Sequence, residues 1–428
     1  MKRLMLLSLL IGAWHLIHAQ PPPVLLDPAK AKDTTYSGIF EETEFIPLET
    51  TRQSIFGVIK QLVVTDRYFI ILDTDTDAIL FFNKQGKFIT KYKNRLSRYR
   101  ITYIQQDLLH NALLVFSQNR NYNITAAKLQ KYLAKEASQN LSTLAMATRF
   151  YLDDPYVHHT ESLSTPAYLL TNPVFLGNGQ FAFSFIWSDQ KNPDIQDYEL
   201  QVVKDDSLIQ KHFPYHLKTD SAFYGSTARQ CSFFPTLNDS VVFMSRPFQP
   251  FIYRLTPRTV TEAYQIAPSQ ASANKTPPEG FSFASFGQIS IGSVTIRSGR
   301  SQNRQGGLSL NNANTVTNFI SQKRFIFFNV QQSTGSYNNY IFDTRETRLY
   351  DRSKLKADSN NYIFPLRTPI LAFDETNIYQ SFSARALFNL KKGAGKDTPH
   401  YEKSLARFYD TGKPENNPVI LRLKPKQD

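Results

Sequence analysis

Between residues 56 and 92 the sequence contains four short segments rich in apolar residues, each separated from the next by polar turn residues. Segments of this length, bounded by Asn, Asp and Gly, are typical of antiparallel strands. Four such strands in about 40 residues have the size of one β-propeller blade. This unit, blade one, therefore predicts a propeller. Its predicted strands are Val58–Val63, Tyr68–Leu72, Ala78–Phe82 and Lys87–Tyr92.

Weaker copies of this unit follow along the chain and predict an all-β fold, a six-bladed β-propeller. The competing all-β fold is a pair of β-sandwiches, but no linker-like change in composition separates two halves of the chain. The first strand of blade five is not evident from the sequence. The other predicted strands are Ile101–Gln106 and Ala112–Phe116 in blade two; Tyr168–Leu176, Gln180–Ile186, Tyr198–Val203 and Leu208–Phe213 in blade three; Cys231–Leu237, Ser240–Ser245, Phe251–Leu255 and Glu262–Ile266 in blade four; Phe325–Val330, Asn339–Asp343 and Thr347–Tyr350 in blade five; and Ile370–Phe373, Asn377–Phe382 and Pro418–Lys424 in blade six.

The two ends of this pattern complement one another. Blade six is one strand short, whereas Glu44–Glu49 is an apolar strand without a blade. Pairing Glu44–Glu49 as the outermost strand of blade six closes the ring and removes an exposed edge. Pro47 suits an outermost strand, where one missing N–H group costs little. We therefore predict a propeller over residues 44–428, preceded by an N-terminal extension over residues 20–43.

Two stretches interrupt the blade pattern. Residues 124–147 place Leu and Ala three or four positions apart without Pro or Gly, which predicts an amphipathic helix inserted into blade two. This helix either packs on the propeller, which is the simpler interpretation, or binds a partner. Residues 298–314 are rich in Gly, Ser, Asn, Gln and Arg, which predicts a flexible loop in blade five.

The first 19 residues have the pattern of a secretory signal peptide. Lys2 and Arg3 precede a mostly apolar run from Leu4 to Ile17, and the small residue Ala19 follows. The alternative is a transmembrane anchor, but the run is shorter than the roughly 20 residues that a membrane span needs. No cysteine lies nearby for a lipid anchor. We therefore expect cleavage after Ala19 and export to the periplasm or the cell surface, with no transmembrane segment.

Several segments resemble an exported six-bladed β-propeller family of Gram-negative bacteria. The resemblance spans most of the chain after the signal peptide, although blade two and the loop of blade five match poorly. It implies the fold and export, but it implies no particular reaction, because a fold does not fix a function. The segments that carry it are Phe45–Thr50, Tyr68–Asp73, Ile79–Ile89, Phe251–Tyr253, Asn361–Pro365 and Asn417–Leu421.

One segment departs from the pattern of that family. Members usually follow blade one with a turn that contains Gly and Pro and ends in Glu-Tyr. Here the corresponding segment, Asn94–Tyr99, keeps Tyr99 but carries Arg95 and Arg98. If this turn shapes a ligand site, the resemblance implies a ligand with more negative charge.

No motif of an enzyme or a metal site emerges from the residues. Asp73, Asp75 and Asp77 alternate as at the start of a calcium loop, but the Gly and distal Glu of that motif are missing, so a turn rich in Asp is the better interpretation. The pairs His158–His159 and His212–His216 are poorly placed to chelate a metal. Cys231, the single cysteine, lies in a predicted strand and is interpreted as a buried hydrophobic residue. We predict no metal and no cofactor.

The charge distribution is more informative. Loss of Lys2 and Arg3 lowers the formal net charge from +13 to +11. Residues 84–135 alone contain 11 Lys and Arg residues against one acidic residue, Asp107. Clustering of this kind favours an anionic partner, although a solvated basic face is the common alternative. Nucleic acid is a poor candidate ligand for an exported protein. We therefore predict an anionic glycan or an acidic protein partner.

The topology of a propeller suggests where the ligand lies. Loops between second and third strands emerge at the same end as the links between blades, around the central channel. Aromatic and charged residues that converge there suit a ligand pocket. We therefore predict a monomeric binding or scaffold protein; the alternative is an enzyme, a lyase or hydrolase, with its site in the channel. The predicted ligand-binding residues are Arg95, Arg98, Tyr99, Trp187, Arg246 and Phe248.

Overall fold

The strands of the protein form six separate sheets, each of four or five strands, besides one short hairpin. This is the six-bladed β-propeller that the sequence predicts. The computed structural model describes residues 24–94, 98–120, 145–163, 173–184, 196–204, 207–216, 231–246, 249, 251–266, 289–291, 294–296, 315–331, 337–356, 368–393 and 401–427.

Each blade is an antiparallel sheet whose first strand lies innermost and whose last strand lies at the outer edge. The hairpin Ile289–Ile291 and Val294–Ile296 lies between blades four and five in the sequence. The strands are Gln61–Val64, Tyr68–Asp73, Ala78–Asn83 and Phe88–Lys93 in blade one; Tyr99–Asp107, Ala112–Asn119, Ala145–Tyr151 and Thr160–Leu163 in blade two; Val174–Phe175, Gln180–Ser184, Gln196–Lys204 and Ser207–His216 in blade three; Ser232–Pro235, Val242–Ser245, Phe251–Leu255 and Val260–Ile266 in blade four; Thr315–Gln322, Phe325–Gln331, Tyr337–Asp343 and Arg348–Asp351 in blade five; and Ala372–Phe373, Ile378–Phe382, Val419–Pro425 and Phe40–Pro47 in blade six.

The outermost strand of blade six comes from the N-terminal part of the chain. Phe40–Pro47 pairs antiparallel with Val419–Pro425, and Phe45 lies opposite Leu421. The strand begins four residues before the predicted start at Glu44, because Phe40 is buried against blade five and continues the ladder. Gly86, in a turn of blade one, has a φ of +80°. A Cβ added at Gly86 would clash with the Pro47 carbonyl, so this turn needs glycine.

Residues before this strand cover the outer edges of two further blades. Val24–Leu26 adds a fifth, parallel strand beside Val260–Ile266 in blade four. Lys32 then bridges to Tyr350 at the edge of blade five. A 3₁₀ helix, Pro28–Lys30, and a short α-helix, Tyr36–Ile39, connect these contacts. The predicted N-terminal extension is therefore packed on blades four and five over its described residues.

Two helices that the sequence analysis did not predict lie within blade six. Ala384–Gly393 and Lys403–Thr411 separate its second and third strands. They bury Leu387, Leu405 and Phe408 against the apolar face that blades five and six share. Since each helix is short, this tertiary packing supplies most of its stability.

Side-chain amides join the innermost strands of blades one, two and three. Gln61 accepts a hydrogen bond from the Ile104 backbone N–H group at 2.9 Å and donates to the Ile104 carbonyl at 2.5 Å. Gln105 makes the same two contacts with Phe175, at 3.0 and 3.1 Å. Each amide thus replaces a missing ladder partner at the wall of the central channel.

Two further predictions fall largely or wholly outside the described residues. Of the predicted helix over 124–147, residues 124–144 lie outside them, and the described Ala145–Ala147 belong to the strand Ala145–Tyr151, so the helical prediction is wrong at that end. The backbone there pairs with Ala112–Asn119, which outweighs the helical spacing. The predicted loop over 298–314 lies entirely outside the described residues.

Candidate functional site

The two ends of the propeller carry different connections. The link face is the end with the links between blades and the loops between second and third strands; it includes Asp73–Asp77, Arg98, Arg120 and Arg246. The turn face is the opposite end, with the turns between first and second strands. The sequence analysis predicted its ligand-binding residues for the link face.

A buried carboxylate organises the link face where blades one and two meet. Asp77, which has a φ of +54° at the end of the Asp-rich turn, accepts a hydrogen bond from the Ile101 backbone N–H group at 2.7 Å. Its other oxygen accepts from Asn94 Nδ2 at 3.1 Å and from Arg120 Nη2. The Asp77 side chain is 9% exposed, so it joins the first strand of blade two to blade one.

Arg120 links this carboxylate to the segment that carries Arg98. Arg120 donates from Nε to the Tyr99 carbonyl at 3.0 Å, and its backbone N–H group donates to the Arg98 carbonyl at 2.7 Å. The Arg120 side chain is 44% exposed, and the Arg98 side chain is exposed. The structure therefore brings Arg98 and Tyr99 together with Arg120, which the sequence analysis did not single out.

The junction of blades three and four contains a second arginine and carboxylate pair. Arg246 Nε donates to Glu199 Oε2 at 2.6 Å. The Glu199 side chain is 1% exposed and that of Arg246 is 15% exposed. Burial raises the pKa of the Glu199 carboxyl, although the charge of Arg246 opposes the shift. Within the described part of the chain, the buried Oε1 atom of Glu199 has no hydrogen-bond partner.

Aromatic rings enclose this second pair. The guanidinium group of Arg246 lies 4.0 Å from the centroid of the Phe213 ring and 6.0 Å from that of Tyr253. Contact with the face of an aromatic ring stabilises a cation. Arg246 is therefore held by its own protein on two sides, which leaves few of its donors for a ligand.

Cys231 lies beside the same junction and is buried, as its strand position predicts. Its backbone N–H group donates to Ser184 Oγ at 2.8 Å. Burial, together with the negative charge of Glu199, raises the pKa of the Cys231 thiol to about 12. A thiol in this state is protonated at neutral pH and is a poor nucleophile.

The Asp-rich turn of blade one uses its carboxylates internally. Asp73 accepts hydrogen bonds from the Asp75 backbone N–H group at 3.1 Å and from Thr76 Oγ1 at 2.5 Å. Asp77 is occupied by Ile101, Asn94 and Arg120, as described above. These contacts support the interpretation of a structural turn. Over the described residues, no group of three or more His, Cys, Asp or Glu side chains is arranged to hold a metal ion.

Neither histidine pair belongs to a group of three or more potential metal ligands among the described residues. His158 packs against Tyr92 and Phe150, whereas His159 stacks on Tyr151 with ring centroids 4.6 Å apart. Pro214 between His212 and His216 suggests a turn in the sequence, but both histidines lie in the strand Ser207–His216. At this edge position Pro214 continues the strand, because an outer strand tolerates a missing N–H group.

Half of the predicted ligand-binding residues can be placed. Arg98, Tyr99 and Arg246 belong to the link face, but Arg246 lies at a different junction from the other two. Arg95, Trp187 and Phe248 lie outside the described residues. Arg120 and Glu199 were missed. An alignment of the blades with one another could have identified Arg120, because Arg120 and Arg246 each directly follow the second strand of their blades.

The described basic residues of the segment 84–135 do not form one continuous surface. Lys84 is half-buried 4.7 Å from the Phe69 ring and 3.9 Å from Asp374, and burial lowers its pKa. Lys87, Lys91 and Lys93 follow the outer edge of blade one, while Arg98 and Arg120 lie on the link face. The remaining basic residues of the segment, apart from Arg100, lie outside the described residues. Over the described residues, the positive charge of this segment is therefore divided between the outer edge of blade one and the link face.

Comparison with known proteins agrees with a six-bladed β-propeller. Residues 24–95, which include blade one, match the model of a family described as 6-bladed β-propellers. The whole chain is similar in structure to a Bacteroides fragilis protein described as exported, with a TM-score of 0.57, 13% identity, and 95% of this chain and 100% of that chain covered. These matches confirm the predicted resemblance to the exported six-bladed propeller family.

Weaker similarities extend to other solved structures. A member of the DUF4221 family from Bacteroides vulgatus shares 8% identity at a TM-score of 0.39, with 91% of this chain and 98% of that chain covered. Virginiamycin B lyase from Staphylococcus aureus shares 13% identity at a TM-score of 0.35, with 79% and 95% covered. No curated protein matches the sequence significantly. Within the described part of the chain, no helix is both long and apolar enough to cross a membrane.

Proposed function

We propose that this protein is an exported propeller that binds an anionic glycan or an acidic protein partner through the link face of blades one and two. The observation that carries the proposal is the arrangement of Arg98 and Arg120 beside Tyr99. Both guanidinium groups are accessible, and Arg120 is held in position by Asp77 and by backbone contacts. Arg95 adds a third cation to the proposed site by its position in the sequence.

The anchoring of Arg120 explains how a small basic site could be selective. Asp77 and the Tyr99 carbonyl engage Nη2 and Nε, and the remaining donors of the half-exposed side chain are available to a carboxylate or sulfate group. A guanidinium group that is already oriented loses less side-chain entropy on binding. Tyr99 supplies an aromatic neighbour. Trp187, Arg246 and Phe248 remain proposed contributors on the neighbouring part of the link face.

Export through the N-terminal signal sequence supports the choice of partner. Surface glycans and acidic protein surfaces are accessible to a protein in that location, whereas nucleic acid is not an expected ligand. The similarity to a bacterial protein described as exported is consistent with this assignment. We propose the periplasm or the cell surface as the site of action and a monomer as the acting form.

The proposal is tested by binding of the purified protein to immobilised anionic and neutral glycans at low and high salt. We expect the double substitution Arg98→Gln/Arg120→Gln to weaken binding to anionic glycans by about tenfold or more, because each charged hydrogen bond contributes about 1.5–3 kcal/mol. The matched control is Lys403→Gln/Arg407→Gln on the blade six helix. An equal loss of binding in the control variant would contradict the proposal. Binding that changes neither with salt nor with Arg98→Gln/Arg120→Gln would contradict it as well.

A second candidate function is an enzyme of the lyase or hydrolase class. One observation favours it, since Glu199 is a buried carboxyl group with a raised pKa, as general acids often are. Its side chain is 1% exposed, so a substrate would need access that the described residues do not provide. Turnover of a glycan that Glu199→Gln abolishes, with folding intact, would favour this alternative.

A further inference from the structure

A cleft of about 410 Å³ opens on the turn face between blades three and four. It lies at the opposite end of the propeller from the link-face site, and its size falls within the range of small-molecule sites. Blade three contributes Asn178 and Gln180 to its wall, and blade four contributes Ser240, Arg254 and Arg258.

The two arginines of this cleft are not paired with carboxylates in the described part of the chain. Neither Arg254 nor Arg258 has an ion pair among the described residues, and both are exposed. Six of the fourteen other described arginines have carboxylate partners. Those with partners are Arg120, Arg149, Arg246, Arg324, Arg348 and Arg422. The cleft therefore offers guanidinium groups that the protein itself does not neutralise.

The wall opposite these arginines contains an unsatisfied acceptor. The Oε1 atom of Gln180 is buried and has no hydrogen-bond partner among the described residues. Leaving such an atom unpaired costs about 1–3 kcal/mol, so it favours a ligand that donates a hydrogen bond. Lys204 lies directly opposite Gln180 in the sheet register, so its side chain shares the same face and adds positive charge near the cleft.

Close packing and hydrogen bonds shape both walls of the cleft. Gly177, Asn178 and Gly179 have φ values of +77°, +49° and +71°, and a Cβ added at Gly177 would lie 3.4 Å from Ser240 Oγ. The blade three turn therefore packs closely against blade four. Across the cleft, Thr256 Oγ1 accepts a hydrogen bond from the Thr259 backbone N–H group at 3.0 Å and shapes the turn that carries Arg258. Gln210 Nε2 donates to the Pro257 carbonyl and joins this turn to blade three.

These features together specify a ligand with a carboxylate at one end and hydroxyl groups at the other. Planar carboxylates match the fork of a guanidinium group, and a hydroxyl group can donate to Gln180 Oε1. We propose that the cleft binds a sugar acid, such as a hexuronate unit. This site is independent of the proposed link-face function and would operate whether or not that function holds.

Calorimetric titration of the purified protein with sodium glucuronate, glucose, acetate and inorganic phosphate tests the proposal. We expect saturable binding of glucuronate and at least tenfold weaker binding of the other three, since each lacks either the carboxylate or the hydroxyl groups. An oligogalacturonide distinguishes the source: tighter binding than the monomer indicates a polysaccharide chain, and equal binding indicates a free sugar acid. Failure of glucuronate to bind, or equal binding of glucose or phosphate, would overturn the proposal.

Substitutions locate the site. Arg258→Gln should weaken glucuronate binding about tenfold, and Arg258→Lys should weaken it less. The matched control is Arg407→Gln at an exposed arginine of blade six, which should leave glucuronate binding unchanged. Gln180→Leu should reduce glucuronate binding toward that of acetate. Since Arg258 is exposed in a turn, its variants should retain the wild-type unfolding temperature. Retention of full glucuronate affinity by Arg258→Gln would sink the proposal, whereas Arg98→Gln/Arg120→Gln should leave this affinity intact.

Discussion

Two junctions between blades each contain an arginine paired with a carboxylate, but the two pairs have different surroundings. Arg120 and Arg246 both follow the second strand of a blade, and each contacts a carboxylate of the preceding blade. The junction of blades one and two leaves Arg120 44% exposed, whereas the junction of blades three and four leaves Arg246 only 15% exposed. Equivalent positions in a repeat therefore carry charges with different roles.

Burial explains the difference. An exposed arginine keeps its hydration and its spare donors, so its ion pair contributes little to stability and the group stays available to a ligand. A buried pair has already lost its hydration, and removal of one partner leaves an uncompensated charge. Under the proposed function, Arg120 serves chiefly in binding, whereas Arg246 chiefly joins two blades. Measurements of stability can sharpen or break this comparison.

The largest effect is expected for Arg246→Met, which leaves Glu199 buried without its cation. We expect a loss of about 3 kcal/mol in the free energy of unfolding at pH 7, measured by urea denaturation. Burial raises the pKa of Glu199 above its unfolded value, so the folded chain holds the proton more tightly. The stability of the Arg246→Met variant is therefore retained at pH 4 and is lost as the pH rises through the pKa that Glu199 has in the folded chain.

The control for this variant is the double substitution Arg246→Met/Glu199→Gln. Removal of both charges should restore much of the stability at pH 7, because no uncompensated charge remains. A deficit in Arg246→Met that is the same at pH 4 and pH 7 would show that lost packing on Phe213, rather than the uncompensated buried charge of Glu199, dominates.

An intermediate effect is expected for Asp77→Ala at the junction of blades one and two. The substitution removes the acceptor of the Ile101 N–H group and places Ala at a φ of +54°, which together should cost about 2 kcal/mol. Asp77→Asn keeps an acceptor and tolerates this conformation, so it should cost less than about 1 kcal/mol. Thermal unfolding distinguishes the two, and equal losses would argue against the role of the Ile101 contact.

The smallest effect is expected for Arg120→Met. Since the side chain is half-exposed, we expect a loss of at most about 1 kcal/mol in the free energy of unfolding. The same variant should nevertheless reduce the salt-dependent binding of anionic glycans. A destabilisation as large as that of Arg246→Met would remove the distinction between the two junctions.

The predictability of the fold and the site differs for a physical reason. Strand periodicity and turn residues are local, so blade one could be assigned from its own sequence, and its observed strands lie close to the predicted ones. The helices Ala384–Gly393 and Lys403–Thr411 were missed because their apolar faces are explained only by the surface of blades five and six. The end of the predicted helix at Ala145–Ala147 was wrong because pairing with a neighbouring strand outweighed helical spacing.

The sequence by itself determined the class of fold, the basic character of residues 84–135 and the burial of Cys231, since each depends on residue type and local order. Only the tertiary structure decided which charges are neutralised. Arg98 and Arg246 were equivalent candidates in the sequence, yet one is exposed beside Arg120 and the other is enclosed by Glu199 and Phe213. The burial of a charged group depends on residues that are distant from it in the sequence. Burial in turn decides whether the charge stabilises the contact between two blades or stays available to a ligand.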